Sequence, residues 1–206
     1  ILPISLIITG SLVSGSELEK DFQKNTRDLV GNNFKTNVDD YLRYAPILEM
    51  YAADAFGIKS KNHWFDQSKN LTISIIISDF ITFRLKNWTM KARPKGEEDL
   101  QSFPSGHTSF AFTNAGVLYQ EFKDSSPYLA YSGYALATAT GGLRIANNSH
   151  WFSDVIVSAG IGILVTELVY LFDPIIKWNP FKKVKGINLY PKIDKNHYGV
   201  YFKKTF

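Results

Sequence analysis

From residue 155 to residue 172 the chain runs eighteen positions with Glu167 as the only charge. That is longer than an ordinary strand and sits at the threshold length for crossing a bilayer as a helix. A segment of this kind has to be helical and has to be covered on most of its sides, so the remaining chain must supply helices to surround it. Glu167 and the polar ends favour a buried bundle helix over a span. Three further stretches have the length and texture to pack beside it. Residues 71–91 (LTISIIISDFITFRLKNWTMK) exceed strand length in spite of their β-branched run, and a buried helix is predicted. Residues 108–122 and 127–143 are apolar and rich in small residues, which predicts two core helices.

Upstream, residues 38–56 place Val38, Leu42, Ala45, Leu48, Ala52 and Ala55 at helical spacing, with Pro46 expected to bend or split the helix. Residues 18–31 are charged and helix-compatible. Residues 57–69 are polar and predicted as a loop, and so are residues 94–103, where Glu97, Glu98 and Asp99 form a solvated face. Pro174 and Pro180 end the helical region. Beyond them INLYPKI, the turn-prone DKNH and YGVYFKKTF predict a β-hairpin. The expected fold class is therefore all-α: a helical bundle over residues 1–180 with a short C-terminal β-hairpin appendage over residues 181–206.

Residues 1–15 (ILPISLIITGSLVSG) are apolar and uncharged. They fit the remainder of an export or anchor segment, or a packed or interfacial element; their length favours the second. The Ile at position 1 leads us to expect upstream processing or trimming. A mean hydropathy of −0.12 argues against a conventional polytopic membrane protein. The absence of cysteine excludes disulfide frameworks, zinc ribbons, iron–sulfur clusters and thiol catalysis. With 23 Lys and Arg against 19 Asp and Glu, the net charge of +4 is too small to argue for nucleic acid without a clustered patch. Lys182, Lys183 and Lys185 read as a solvated basic turn, with an anionic membrane surface as the second reading.

Three islands carry chemistry. Lys86 is followed by Arg93 and Pro94; Pro104-Ser105-Gly106-His107 opens a helix; Arg144 precedes His150 and Asp154. Ser149 is placed as the N-cap of a helix starting at His150, which sets His150 and Asp154 on one face. A carboxylate beside an imidazole fixes its tautomer and leaves the other nitrogen aimed outward, as a nucleophile or base requires. At the second island, the orphan N–H groups of a helix start can bind an anion, Gly106 permits close approach, and Ser105 caps or donates. His107 then stands at the rim as a proton donor. Singly, each island fits a bland reading: a capped pair, a helix start, surface cations. His63 and His197 read as loop or turn residues, and Trp151 as core or pocket lining. Together, three cations, a helix N-terminus and two histidines compose a phosphate site with its nucleophile and acid.

The pattern resembles the type 2 phosphatidic acid phosphatase and vanadium haloperoxidase superfamily. Here it stands as KNWTMKARP, PSGH and LRIANNSHWFSD, covering residues 86–154. The resemblance implies a helical bundle and phosphoryl transfer with neither metal nor other cofactor. It implies that His150 attacks phosphorus to form a phosphohistidine, that Asp154 orients it, and that His107 protonates the leaving oxygen. Lys86, Arg93, Arg144, Ser105 and the Gly106 N–H would bind the phosphoryl oxygens. Leu143 departs from the pattern, which usually has Ser there; a lost hydrogen bond of about 0.5–1.5 kcal/mol predicts a tuned site. The expected activity is hydrolysis of a phosphomonoester or pyrophosphate, with a phosphorylated lipid or a small phosphoester as substrate. The setting is expected to be exported, periplasmic or membrane-associated, and no nucleic-acid partner is expected. A soluble acid phosphatase, a vanadate-dependent haloperoxidase and a non-catalytic phosphate-binding protein are the alternatives.

Overall fold

The structure is a computed structural model that describes residues 1–96, 98–176, 179–180, 187–194 and 197–204, the last two ranges as backbone alone. Eight helices precede two strands: α1 (Leu2–Val13), α2 (Glu17–Val30), α3 (Val38–Leu42), α4 (Ala45–Ala55), α5 (Trp64–Thr89), α6 (Gly106–Phe122), α7 (Pro127–Ala146), α8 (Phe152–Phe172), β1 (Ile187–Asp194) and β2 (His197–Lys204). Pro46 splits the predicted 38–56 helix as expected: α3 ends at Leu42, and the proline sits in the first turn of α4, where its missing N–H costs nothing. α5 starts earlier than the predicted loop allowed, because His63 caps it by accepting from the Phe65 N–H and Asp66 places a negative charge in its first turn.

α6 is the centre of the bundle, packed against α5, α7 and α8, while α1 lies along α8. Small residues set these distances. A Cβ on Gly162 of α8 would fall 2.7 Å from the Thr113 backbone nitrogen of α6, and one on Gly160 would fall 2.7 Å from the Pro3 carbonyl oxygen of α1. α8 therefore touches backbone on two sides, which no larger side chain permits. Gly162→Leu is expected to force α6 and α8 apart at a cost of at least about 1–3 kcal/mol, read as a lower thermal midpoint in detergent; an unchanged midpoint would show that the helices have slack.

α5 departs from the expectation of a buried helix. Apart from Leu71, its buried stripe is polar, with Asp66, Gln67, Asn70, Ser74, Ser78 and Thr82, whereas Ile76, Ile77, Phe80, Phe83 and Trp88 are exposed. Two of the three inward hydroxyls are used: the Ser78 and Ser109 hydroxyls lie 2.7 Å apart, Thr82 donates to Ser109 at 3.0 Å, and Thr113 donates to Ser78 at 2.9 Å, tying α5 to α6, whereas the Ser74 hydroxyl has no hydrogen-bond partner. Composition alone indicated a helix here but neither its start nor the direction of its apolar face. The outward apolar character continues on Ile4, Ile8 and Leu12 of α1 and on Leu168, Leu171 and Phe172 of α8. Among the described residues, α8 is the one helix long and apolar enough to cross a membrane by length and composition.

The backbones of β1 and β2 pair antiparallel, with Ile187 opposite Lys204 and Asp194 opposite His197. Lys182, Lys183 and Lys185, the expected basic turn, lie outside the described residues.

Candidate functional site

The C-terminal ends of α5 and α7 and the N-terminal ends of α6 and α8 meet at one end of the bundle, and all eight sequence-predicted residues lie there. Lys86 belongs to the last turn of α5, Ser105 caps α6, Gly106 and His107 open it, and Arg144 belongs to the last turn of α7. Ser105 accepts from the Thr108 N–H and its own N–H donates to the Asp154 carbonyl at 3.3 Å, so the start of α6 is pinned to the start of α8.

The pairing of His150 with Asp154 is present, but its expected local cause is not. α8 begins at Phe152 with Trp151 as its N-cap, so Ser149 is not the cap and His150 precedes the helix. The Asp154 carboxylate folds back onto the Trp151 N–H at 2.9 Å, and this closes the first turn. His150 Nδ1 lies 3.4 Å from Asp154 Oδ2, an ion-pair contact without hydrogen-bond geometry. Its imidazole is almost wholly buried, and burial pushes its pKa from 6.5 down to about 4, against the opposing pull of Asp154. The ring is thus neutral at physiological pH, with Nε2 as the nitrogen turned away from Asp154.

Asp154 is fully buried and saturated with donors. Ser102 Oγ donates to Oδ2 at 2.5 Å, and Lys91 Nζ donates to Oδ1 at 3.1 Å. Lys91 also reaches both carboxylate oxygens of Glu19 at 2.9 Å, and Glu19 on α2 is itself 1% exposed. Glu19 further accepts from the Gly15 N–H at 2.7 Å and from the Ser153 hydroxyl. Trp151 closes this group by donating from its indole to the Ala92 carbonyl at 2.7 Å while Lys91 sits over its ring. A buried chain of alternating charge, Glu19–Lys91–Asp154, thus stands behind His150.

The cations of the site are engaged by groups of the protein itself. Lys86 Nζ donates to the Gln101 carbonyl at 2.6 Å, Arg93 pairs with Asp99 at 2.9 Å, and Arg144 donates to Asp39 at 2.6 Å. His107 Nε2 lies 2.8 Å from Asp40 Oδ1, and this contact holds the Asp40 carboxyl below the usual carboxylate range. Two adjacent acids of α3 therefore hold one predicted cation and one predicted acid. Leu143 is half-buried.

Asp39, Asp40 and His107 bring three donor atoms within 4.8 Å of one another. The Arg144 guanidinium occupies Asp39 Oδ2, and Asn147 donates to its Oδ1 at 2.9 Å, so a cation there would displace a positive charge and an amide already in place. The set does not fit a resident metal. Sequence reasoning missed Glu19, Lys91, Ser102, Asp39 and Asp40. Lys91 stood inside the first motif as a spacer, and the two acids lay in a helix read only for its apolar positions.

Residues 68–178 match the model of the PAP2 superfamily. Over 180 residues the chain is 32% identical to lipid A 1-phosphatase of Porphyromonas gingivalis, a match that covers 82% of this chain and 39% of that protein. The chain thus spans well under half the length of that curated relative. Among solved structures it resembles the crystal structure of Aquifex aeolicus LpxE, with a TM-score of 0.56, 23% identity, and 77% of this chain and 98% of that one covered. It also resembles the first transmembrane PAP2 type phosphatidylglycerolphosphate phosphatase structure, from Bacillus subtilis, with a TM-score of 0.60, 18% identity, and coverage of 85% and 98%. These two likenesses are of fold.

Proposed function

The chain belongs to the PAP2 superfamily, and from that premise we propose that it is a lipid phosphatase that works without a metal, through a phosphohistidine on His150. His150 Nε2 attacks phosphorus, the bond to the leaving oxygen breaks, and His107 delivers the proton that oxygen needs. Water then gives its proton to His107 and attacks the phosphohistidine, releasing phosphate and restoring both rings. Lys86, Arg93 and Arg144, with Ser105 and the Gly106 N–H, surround the equatorial oxygens, where charge accumulates in the transition state. For His107 to reach the leaving oxygen, the substrate takes the place of the Asp40 carboxylate.

The observation that carries the lipid reading is a groove. An apolar hollow of about 310 Å³ lies between α1, α5 and α8, bordered by Trp88, Phe103 and Ile161, and a second of about 360 Å³ continues along α5 and α8 past Ile77 and Leu168. Phe103 ties it to the site, since its carbonyl accepts from Thr89 at 3.0 Å and Pro104-Ser105-Gly106-His107 follows directly. We place the bundle in a membrane, with the outward apolar residues of α1, α5 and α8 facing acyl chains. The periplasmic face is the proposed side of the site. Residues 181–206 are proposed as an appendage to the 1–180 bundle.

The test is phosphate release in EDTA from phosphatidic acid in mixed micelles and from p-nitrophenyl phosphate. Burying even a few methylenes at about 0.8 kcal/mol each favours the lipid by well over tenfold in kcat/KM. Equal or better activity on the small ester would make this a broad phosphatase and return the groove to a structural role; loss of activity in EDTA, restored by a divalent ion, would overturn the metal-free mechanism.

A further inference from the structure

α5 packs on α6 and α8, and its opposite side is uncovered. There Ile76, Phe80 and Phe83 are 62%, 63% and 59% exposed, and the exposed Asn87 continues the row. Steps of four, three and four residues are the spacing with which two parallel helices share a seam. The row is separate from the apolar groove, whose α5 residues Ile77, Ile81 and Trp88 lie on the flank toward α1 and α8.

Two opposite charges border the row. With about 3.6 residues per turn, Asp79 falls on one side of it and Arg84, five residues later, on the other. Both are exposed, and neither makes an ion pair within 4 Å among the described residues. Arg43 reaches Asp79 only through space, because its guanidinium donates to the Asp40 carbonyl at 3.2 Å and to the Tyr44 hydroxyl at 3.0 Å. Asp79 lies near the middle of a 26-residue helix, where a charge turned toward acyl chains is costly unless it finds a partner. Between two parallel helices, residues on opposite flanks and five positions apart are the ones that meet across the seam and choose the partner by charge.

We infer that the outer face of α5 docks a second copy of this chain, α5 against α5, parallel and in register. A two-fold axis along the helices sets Asp79 of each copy beside Arg84 of the other, so one surface supplies both halves of two ion pairs. The same axis keeps both copies the same way round, as two chains inserted alike in one membrane must be. Asn87 meets its counterpart near the end of the seam, and a single asparagine in such a row fixes register. Its carbonyl oxygen accepts from Gln101 at 3.4 Å and retains a second lone pair for the facing amide. In this pair Ile76, Phe80 and Phe83 pack on their counterparts in place of acyl chains, and the groove stays open to lipid. The inference goes beyond the phosphatase reading and does not depend on it.

The chain has no cysteine, so a single introduced thiol reports only on its own neighbours. In phosphatidylcholine vesicles under mild oxidation, the full chain carrying Phe83→Cys should form a disulfide-linked dimer, and one carrying Leu168→Cys, exposed on α8, should not. Added to Phe83→Cys, either Asp79→Arg or Arg84→Asp sets like charges together at both contacts and should lower the linked fraction at least about tenfold. Reconstituting those two variants together should restore linking, because the mixed pair has opposite charges at both contacts. Failure of Phe83→Cys to link would overturn the dimer and return the face to acyl chains. Linking that ignores both charge changes, that the mixture does not restore, or that Leu168→Cys matches would overturn the α5 pairing. Phosphate release by a chain that never links would leave the phosphatase reading standing, and linking without turnover would do the reverse.

Discussion

His150→Ala should lower phosphate release by about 10⁴-fold or more, which corresponds to about 5.5 kcal/mol of transition-state stabilisation. The size follows from the role. A general acid or a binding cation assists a reaction that water can still perform, whereas loss of the nucleophile removes the covalent step itself. Wild type quenched in mid-turnover with a ³²P-labelled substrate should carry acid-labile label on the protein, and the variant should carry none. Activity within tenfold of wild type, or label that persists in the variant, would remove His150 as nucleophile. The pH profile supplies an independent check. Burial holds the free-enzyme imidazole pKa at about 4, so the ring is neutral and nucleophilic at all higher pH. The acid limb of kcat/KM assigned to His150 therefore belongs near pH 4, and a limb near the ordinary 6.5 that vanished in a conservative variant would mean that the imidazole is solvated in the working enzyme.

Much of this site could be read in the sequence because the role proposed for it, serving a phosphate, calls for residue types that stand out in a sequence. Lys86, Arg93, Arg144, His107, His150 and Asp154 are of residue types whose chemistry is explicit, at spacings that put them on helix ends. The long apolar runs likewise made the bundle legible. The groups behind His150 were not legible in that way. Glu19 lies 135 positions before Asp154 on a stretch read only as charged and helix-compatible, and only the path of α2 past the start of α8 shows that it is buried. The polarity of α5 was hidden for a related reason. Ser74, Ser78 and Thr82 recur at helical spacing as regularly as the isoleucines and phenylalanines beside them, so periodicity defines two faces without saying which is inside. Water around the bundle would select the apolar face for the core; here the hydroxyl face is taken, which is the choice expected of the proposed membrane setting.

The second large effect is expected at Lys91, which touches no substrate in the proposed mechanism. Its ammonium lies between the buried carboxylates of Glu19 and Asp154, at 2.9 and 3.1 Å. Lys91→Met removes the positive charge shared by Glu19 and Asp154 and leaves two buried anions facing each other, a loss of about 3–5 kcal/mol for breaking a buried pair from one side. The freed Asp154 carboxylate also loses a donor that fixes its angle to His150, so kcat should fall by at least about tenfold while KM changes little, the signature of an effect on positioning. Lys91→Arg keeps the charge and should recover most of the stability. Glu19→Gln/Lys91→Met separates the two effects: with one anion gone, the double variant should be more stable than Lys91→Met alone, so the two substitutions are strongly non-additive. Its kcat should stay low, because Asp154 still lacks the Lys91 donor. Additive losses in the thermal midpoint would show that Glu19 and Asp154 do not share this charge, and a double variant with wild-type kcat would show that Asp154 needs only Trp151 and Ser102 to hold His150 in place.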